Sequence, residues 1–302
     1  VVLPVRDGGR RLRELLEAVA GQRLSGGLEV VAVDSGSRDG SLRLLAEHGV
    51  RTLQVAPSDF DHGETRNLGA REARSPIVVF LSQDAVPNGP CFVERLVAPL
   101  EGDPRLAGTF ARQLPRPEAD PLTRRDVRAW VAGGDQGRTV LFPDPEELDR
   151  RSPMERYLLS AFDDVAAAVR RDLLLAEPFE CTRFGEDLEW GYRMLRAGRG
   201  IAFVPGAEVL HSHPRTARRL YRRNYLGHRL LFRLFGLCTV ADRRYLVRAT
   251  LGALRSDLVT LARHGARLRS WLAAPAQAAA AVLGQYRGAR DERLARRYPR
   301  WA

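Results

Sequence analysis

The chain has 302 residues, 44% hydrophobic and 28% charged, with 18 prolines spread along it; this excludes disordered, collagen-like and mucin-like chains and fits a folded globular protein. Its formal net charge of +11 is uneven and carried wholly by arginine, for there is no lysine: residues 214–302 hold 20 Arg against Asp242, Asp257, Asp291 and Glu292, so everything before them is net negative. Cys91, Cys181 and Cys238 are odd in number and lack metal-ligand spacing, which argues against a disulfide framework or thiolate zinc site and for a reducing compartment.

Val1 to Val5 is a short apolar run that predicts a strand. Leu12, Leu15, Leu16 and Val19 then recur at helical spacing, and Glu29 to Val33 predicts a buried strand closing on Asp34. A helix near Ser41 to Glu47, a strand at Arg51 to Val55, a helix from Arg66 to Ala73 and a strand at Ile77 to Leu81 continue the alternation. Strands alternating with helices imply a mostly parallel sheet covered on both faces, with its site at the carboxyl ends of the strands. Asp34 and Asp84 each follow such a strand and are expected at the same crevice.

Between Pro115 and Pro153 periodicity is lost, as in a functional loop. Order returns with Val165 to Val169, a helix around Asp187 to Ala197, a strand at Ile201 to Val204 and a further piece at Glu208 to His211. Beyond it Val247, Leu251, Leu254, Leu258, Leu261, Leu268 and Leu272 form an apolar stripe, flanked by Arg248, Arg255, Arg263, Arg267 and Arg269. That pattern serves either a helix packed on the domain or a partner subunit, or a basic amphipathic helix on an anionic membrane. The longest weakly charged run, Trp271 to Tyr286, is too short to span a bilayer and contains Pro275. No signal peptide is visible, and the opening at Val1, inside a strand pattern, leads us to expect missing N-terminal residues.

Several clusters have the residue types for chemistry. Arg66 and Asn67 lie near a helix start, where a guanidinium and backbone N–H groups can meet a pyrophosphate. Ser82-Gln83-Asp84 puts one carboxylate on a strand end, suited to a divalent cation, and His211 and His213 alternate so that both imidazoles face one way. Glu186, Asp187 and Glu189 crowd a helix start, which fits capping by carboxylates or a general base at a cleft mouth.

Taken in order, strand-end Asp34, His62 to Asn67, Ser82 to Ala85, Arg112 to Pro117, Glu186 to Gly191 and His211 to His213 closely resemble the family 2 glycosyltransferases of GT-A fold. Within that family the chain resembles the rhamnosyltransferase branch, which uses dTDP-L-rhamnose in bacterial surface polysaccharide synthesis. The resemblance spans Val1 to His213 and implies a GT-A catalytic domain over 1–213, with an Arg-rich helical region over 214–302. It implies Asp187 as general base, and Pro4, Asp34, Arg66, Asn67, Gln83 and Asp84 on the donor side. Glu186, Trp190, Arg112 and Gln113 would line the acceptor side, and Asp84, His211 and His213 would hold Mg2+ or Mn2+. Gln83 stands where the common motif has its first Asp, and Ala166 and Ala167 stand where relatives carry polar residues.

The expected activity is inverting transfer of a sugar to a hydroxyl of a glycan or lipid-linked glycan, by a cytoplasmic enzyme peripheral to the plasma membrane. A homodimer seamed by the apolar stripe is a further expectation. Two alternatives remain at this level: a family 2 transferase using a UDP- or GDP-hexose, and an inactive scaffold whose basic C-terminal module binds membrane or nucleic acid.

Overall fold

The computed structural model describes residues 1–182 and 184–297. In chain order the elements are β1 (Val2–Val5), α1 (Gly9–Ala20), β2 (Val31–Asp34), α2 (Ser41–Glu47), β3 (Arg51–Gln54), α3 (His62–Glu72), β4 (Ile77–Leu81), β5 (Val86–Pro87), α4 (Phe92–Gly102) and β6 (Leu106–Leu114). There follow α5 (Pro121–Ala129), β7 (Arg138–Val140), α6 (Glu146–Asp149), α7 (Pro153–Ser160), β8 (Ala166–Arg170), α8 (Arg171–Ala176), α9 (Glu186–Arg196) and β9 (Gly200–Leu210). Helices α10 (Ala217–Phe235), α11 (Arg243–Arg263) and α12 (Leu268–Arg297) close the described chain. Two compact units result: residues 1–114, 130–150 and 159–211 form one, and residues 115–129, 151–158 and 212 onward the other.

The first unit is built on one sheet in the order β3-β2-β1-β4-β8-β6-β9-β5, with β7 also paired to β9. Six strands, β1, β2, β3, β4, β6 and β9, run the same way, while β8 lies antiparallel between β4 and β6. The sheet is buried on both faces, as hydrophobic runs such as Val31-Ala32-Val33 require. On one face Leu12, Leu15 and Leu16 of α1 and Phe92, Leu96 and Leu100 of α4 pack with Leu3, Val79 and Leu81. On the other, Trp190 and Met194 of α9 pack with Val2, Phe80, Phe110 and Phe162.

The reversal of β8 decides where its flanking residues go. Its amino end lies at the edge where the six co-directional strands have their carboxyl ends, so the segment entering β8 joins those leaving β2, β4, β6 and β9. That edge is the expected crevice, completed by a strand that runs the other way.

Three sequence expectations are adjusted by the structure. Helix α3 starts at His62, a turn before Arg66, because the Asp61 side chain accepts hydrogen bonds from Gly63 N (2.9 Å) and Glu64 N (3.0 Å) and caps it. The two expected pieces at 201–204 and 208–211 are one strand, β9. Its pairing with β6 jumps from Ala111–Val204 to Arg112–Glu208, so a bulge at Pro205 to Ala207 absorbs the proline without ending the strand. The aperiodic stretch 115–153 contains α5, α6 and β7.

In the second unit α10 and α12 lie in close contact. Gly284 makes this possible, since a Cβ there would lie 2.6 Å from the Tyr221 carbonyl oxygen, and Gly288 meets Tyr225 in the same way. Tyr225 donates to Asp291 (3.1 Å) and Arg229 to Glu292 (2.9 Å) along the same helix pair. Asp257 of α11 is buried and accepts from Arg125 (2.6 Å) and Arg215 (3.1 Å). The apolar stripe is divided: α11 ends at Arg263, Gly265 takes φ +56°, and α12 begins at Leu268. Val247, Leu251, Leu268 and Leu272 are 60–73% exposed, whereas Leu261 is buried.

Gly284→Ala is expected to destabilise the protein by about 1–3 kcal/mol, because the added methyl meets a backbone carbonyl that cannot rotate away. Gly252→Ala, mid-helix in α11 with no atom within 4 Å of the added Cβ, is expected to be neutral or to stabilise by about 0.5–1 kcal/mol. Denaturant unfolding of both variants checks the pair, and equal effects would refute the close approach at Gly284.

Candidate active site

Four carboxylates meet at the carboxyl edge of the sheet. Asp163 and Asp164 precede β8, and Glu186 and Asp187 open α9 after Gly185, which takes φ +78° and lets the chain turn into the helix. Arg66 of α3 lies among them, only 4% exposed. Its guanidinium contacts Asp164 Oδ1 at 2.8 Å and Glu186 Oε1 at 3.0 Å. Burial acts to lower the Arg66 pKa, but Asp164 and Glu186 more than offset it and hold the group charged. A single guanidinium cannot balance four acids. Desolvation pushes Asp164 well above the usual carboxylate range, against the pull of Arg66.

Asp187 keeps part of its surface exposed. Its Oδ2 accepts from Asp164 N (3.3 Å) and its Oδ1 from Leu188 N (2.8 Å). Desolvation, and after it the Glu186 and Asp163 carboxylates, push the Asp187 carboxyl up to about 7. A carboxyl held at this edge with its proton affinity raised toward neutrality has the properties of a general base.

A second group forms from β4 and β9. His211 Nε2 lies 3.6 Å from Asp84 Oδ1, and with His213 the three candidate ligand atoms all lie within 4.8 Å of one another. The separation of His211 and Asp84 is too long for a hydrogen bond, and one carboxylate with two imidazoles is a donor set that fits a divalent cation. Gln83 explains its own presence beside Asp84: its amide donates to Arg6 O (2.9 Å) and accepts from Arg6 N (2.8 Å), a two-way clamp between the segments leaving β1 and β4. A carboxylate there could make only one of these bonds.

The remaining expected residues fall in different surroundings. Asp34 ends β2, where its Oδ2 accepts from Gly36 N and Ser37 N, both at 3.0 Å, while its buried Oδ1 has no hydrogen-bond partner. Pro4 lies beside it on β1, in register with Val33. Asn67 has a structural occupation, its side chain exchanging hydrogen bonds with Phe179 O (2.8 Å) and Phe179 N (3.0 Å). Arg66 is likewise engaged within the protein rather than presented to a diphosphate. Trp190, expected on the acceptor side, is 0% exposed; its indole donates to Glu177 O and its rings pack on Phe162 and Phe179, so it supports the site from within the core.

Arg112 and Gln113 separate, as successive strand residues do. Arg112 pairs with Glu208 on β9 at 3.5 Å. Gln113 instead joins Asp163 (2.8 Å) and His211 (2.8 Å). Asp163, Asp164 and Trp130 carried no role in the sequence. The Asp163-Asp164 pair directly before a strand was the signal available, unreadable without knowing that β8 runs backwards. Ala166 and Ala167 are buried in β8, opposite Leu81 and Phe80.

The sequence profile described as Glycosyl transferase family 2 matches residues 1–173, more than half of the chain. The chain belongs to glycosyl transferase family 2. Among curated members, the O-antigen chain rhamnosyltransferase WbaN of Salmonella anatum is 29% identical over 200 residues, 65% of this chain and 60% of that protein. The O-antigen chain rhamnosyltransferase RfbN of Salmonella typhimurium is 26% identical over 229 residues, 74% of this chain and 69% of its own length. Among solved structures, the mannosyltransferase PcManGT of Pyrobaculum calidifontis, in complex with GDP-Man and Mn2+, superposes with a TM-score of 0.59 at 18% identity, covering 99% of this chain and 86% of its own. Glucosyl-3-phosphoglycerate synthase of Mycobacterium tuberculosis superposes at 0.54 and 20% identity, with 80% of each chain covered. The sheet of this family 2 chain thus has the GT-A fold.

Asp187 binds its proton more tightly in the folded chain than in the unfolded one, so the folded state loses stability as pH rises from about 4 toward 7. Asp187→Asn removes that loss. The variant is expected to melt above the parent protein at pH 8, with the gap narrowing as pH falls toward 5. Thermal melts across this range test it, and a gap independent of pH would refute the buried-carboxyl account.

Proposed function

We propose that the chain is an inverting glycosyltransferase that moves a sugar, L-rhamnose from dTDP-L-rhamnose, onto a hydroxyl of a glycan acceptor in bacterial surface polysaccharide synthesis. One observation carries the mechanism: the Asp187 carboxyl, raised to about 7 by desolvation within an acidic cluster at the carboxyl edge of a GT-A sheet. The rhamnose assignment is supported by the two O-antigen rhamnosyltransferase relatives and the ordered sequence blocks.

Asp187 takes the proton from the acceptor hydroxyl as its oxygen attacks the anomeric carbon. The bond from that carbon to the donor diphosphate breaks, and the diphosphate leaves with the electron pair. A base with a pKa near 7 is substantially deprotonated at neutral pH yet still basic enough to accept the proton in the transition state. Arg66 keeps Asp164 and Glu186 charge-balanced, so the acid cluster can persist in a desolvated edge without collapsing onto Asp187. Asp34, whose buried Oδ1 has no hydrogen-bond partner within the protein, would accept from a donor base N–H once that oxygen is uncovered. A divalent cation held by Asp84, His211 and His213 would stabilise charge on the departing diphosphate, and the two imidazoles favour Mn2+ over Mg2+.

The exposed apolar residues of α11 and α12 are the basis for a second proposal. Val247 and Leu251 stand beside Arg244, Arg248 and Arg255 on α11, and Leu268 and Leu272 beside Arg267 and Arg269 on α12. Among the described residues no helix is long and apolar enough to cross a membrane. An apolar stripe bordered by arginines matches the surface of an anionic bilayer, where a lipid-linked acceptor would lie.

Nucleoside diphosphate release from a panel of dTDP-, UDP- and GDP-sugars, with Mn2+ or with chelator, is expected to be selective for dTDP-L-rhamnose and to fall on chelation. Release from another donor alone would overturn the sugar. Asp187→Asn is expected to lower turnover by at least about 100-fold with donor affinity retained, and parent activity is expected to rise as pH passes through 7. Turnover close to that of the parent would remove Asp187 from the role. Flotation with liposomes is expected only when they contain anionic lipid, and to weaken in Val247→Glu with Leu251→Glu; unchanged flotation would refute this face.

A further inference from the structure

The side chains leading inward from His211 form a chain that nothing in the mechanism above uses. Asp163 Oδ2 accepts from the indole Nε1 of Trp130 (2.7 Å) and from Gln113 Nε2 (2.8 Å), while its Oδ1 accepts from Val165 N (3.1 Å). An indole N–H and a backbone N–H can only donate, so Asp163 serves as an acceptor on both oxygens. Gln113 therefore turns its NH2 to Asp163. Its Oε1 is left facing His211 Nδ1 at 2.8 Å, and an amide oxygen can only accept. The proton of a neutral His211 must then sit on Nδ1, which presents the Nε2 lone pair toward Asp84, 3.6 Å away. A carboxylate oxygen and an imidazole lone pair so placed are two ligand atoms suited to one cation.

We propose that Gln113 is a positioning residue that fixes His211 in the Nδ1–H tautomer, with Asp163 and Trp130 fixing Gln113 in turn, so that Nε2 is set as the ligand atom beside Asp84. This rests on the reading that Asp84 and His211 share a divalent cation. The residues of the relay are buried or partly buried: Gln113 is 8% exposed, Asp163 8% and His211 7%. Water competes poorly for their hydrogen bonds, and the amide of Gln113 has no reason to flip while Trp130 and Val165 keep Asp163 an acceptor. The arrangement also ties the acid cluster to the cation pair, because Asp163 is both the anchor of Gln113 and one of the carboxylates that raise Asp187. Outer partners of this kind orient metal-binding imidazoles and alter affinity by about 10–100-fold when removed.

The tautomer is read directly by long-range 1H–15N correlation spectra of the metal-free full chain labelled with 15N-histidine, His211 being assigned by its loss in His211→Gln. The parent protein is expected to show a protonated Nδ1 and an unprotonated Nε2. Gln113→Leu is expected to shift His211 toward the Nε2–H form and to weaken Mn2+ binding by calorimetry about 10–100-fold. Gln113→Glu gives up the bond to Asp163 but still offers an oxygen to Nδ1 and is expected to keep the Nδ1–H form, and thermal melts of both variants control for folding. An Nε2–H tautomer in the parent, or an unaltered tautomer in Gln113→Leu, overturns the proposal. Because the spectra need neither metal nor donor, the expected tautomers in a protein that fails to bind Mn2+ would uphold the positioning role while removing the cation reading.

Discussion

Everything at the carboxyl edge of the sheet depends on holding four carboxylates close together around one guanidinium. Burying a carboxylate is costly unless a counter-charge or donors accompany it, and Arg66, at 5% side-chain exposure, supplies that charge to Asp164 and Glu186. The sites that feed the cluster follow from this requirement. Asp61 caps α3 and so sets the turn from which Arg66 projects. Gly185 takes a left-handed conformation so that α9 can begin with Glu186 and Asp187 pointing at the same place. The reversed strand β8 delivers Asp163 and Asp164 from the opposite direction. Asp187, which like Asp163 makes no short ion pair with Arg66, is the one raised to about 7 in a residue still partly exposed.

The same edge shows how one residue type serves different ends according to its surroundings. Asp34 is held by two backbone N–H groups on one oxygen, Asp163 by three donors, Asp187 by two backbone N–H groups among like charges. Gln83 and Gln113 both use the amide as a two-sided connector, the first between backbone segments, the second between a carboxylate and an imidazole. In each case an acid would supply only acceptors and would break one half of the connection.

The second unit follows simpler packing rules. Gly284 and Gly288 bring α12 against α10, and buried Asp257 is satisfied by Arg125 and Arg215. Arg215 and Arg229 are thus paired with buried acids, while most other arginines of α10, α11 and α12 are exposed on several faces, which is why composition alone could not assign the charge to a ligand. Exposed arginines also flank Val247, Leu251, Leu268 and Leu272, where the helix breaks at Gly265 and the stripe is shared between two helices.

Strand and helix alternation, the acids at strand ends and the acidic start of α9 were legible in the sequence, because hydrophobic period and capping are set by neighbours a few residues apart. So was the family, through six short blocks in order. Local pattern could not tell that Gln113 meets Asp163 and His211, that Trp190 belongs to the core, or that Arg66 and Asn67 are engaged inside the protein. Those outcomes depend on partners distant in the chain, such as Glu186, 120 residues from Arg66, and Phe179, 112 residues from Asn67. Burial and charge balance arise only when such segments meet, so the sequence by itself determined which groups are present, and the tertiary structure decided which of them titrate, which are neutralised and which face the crevice.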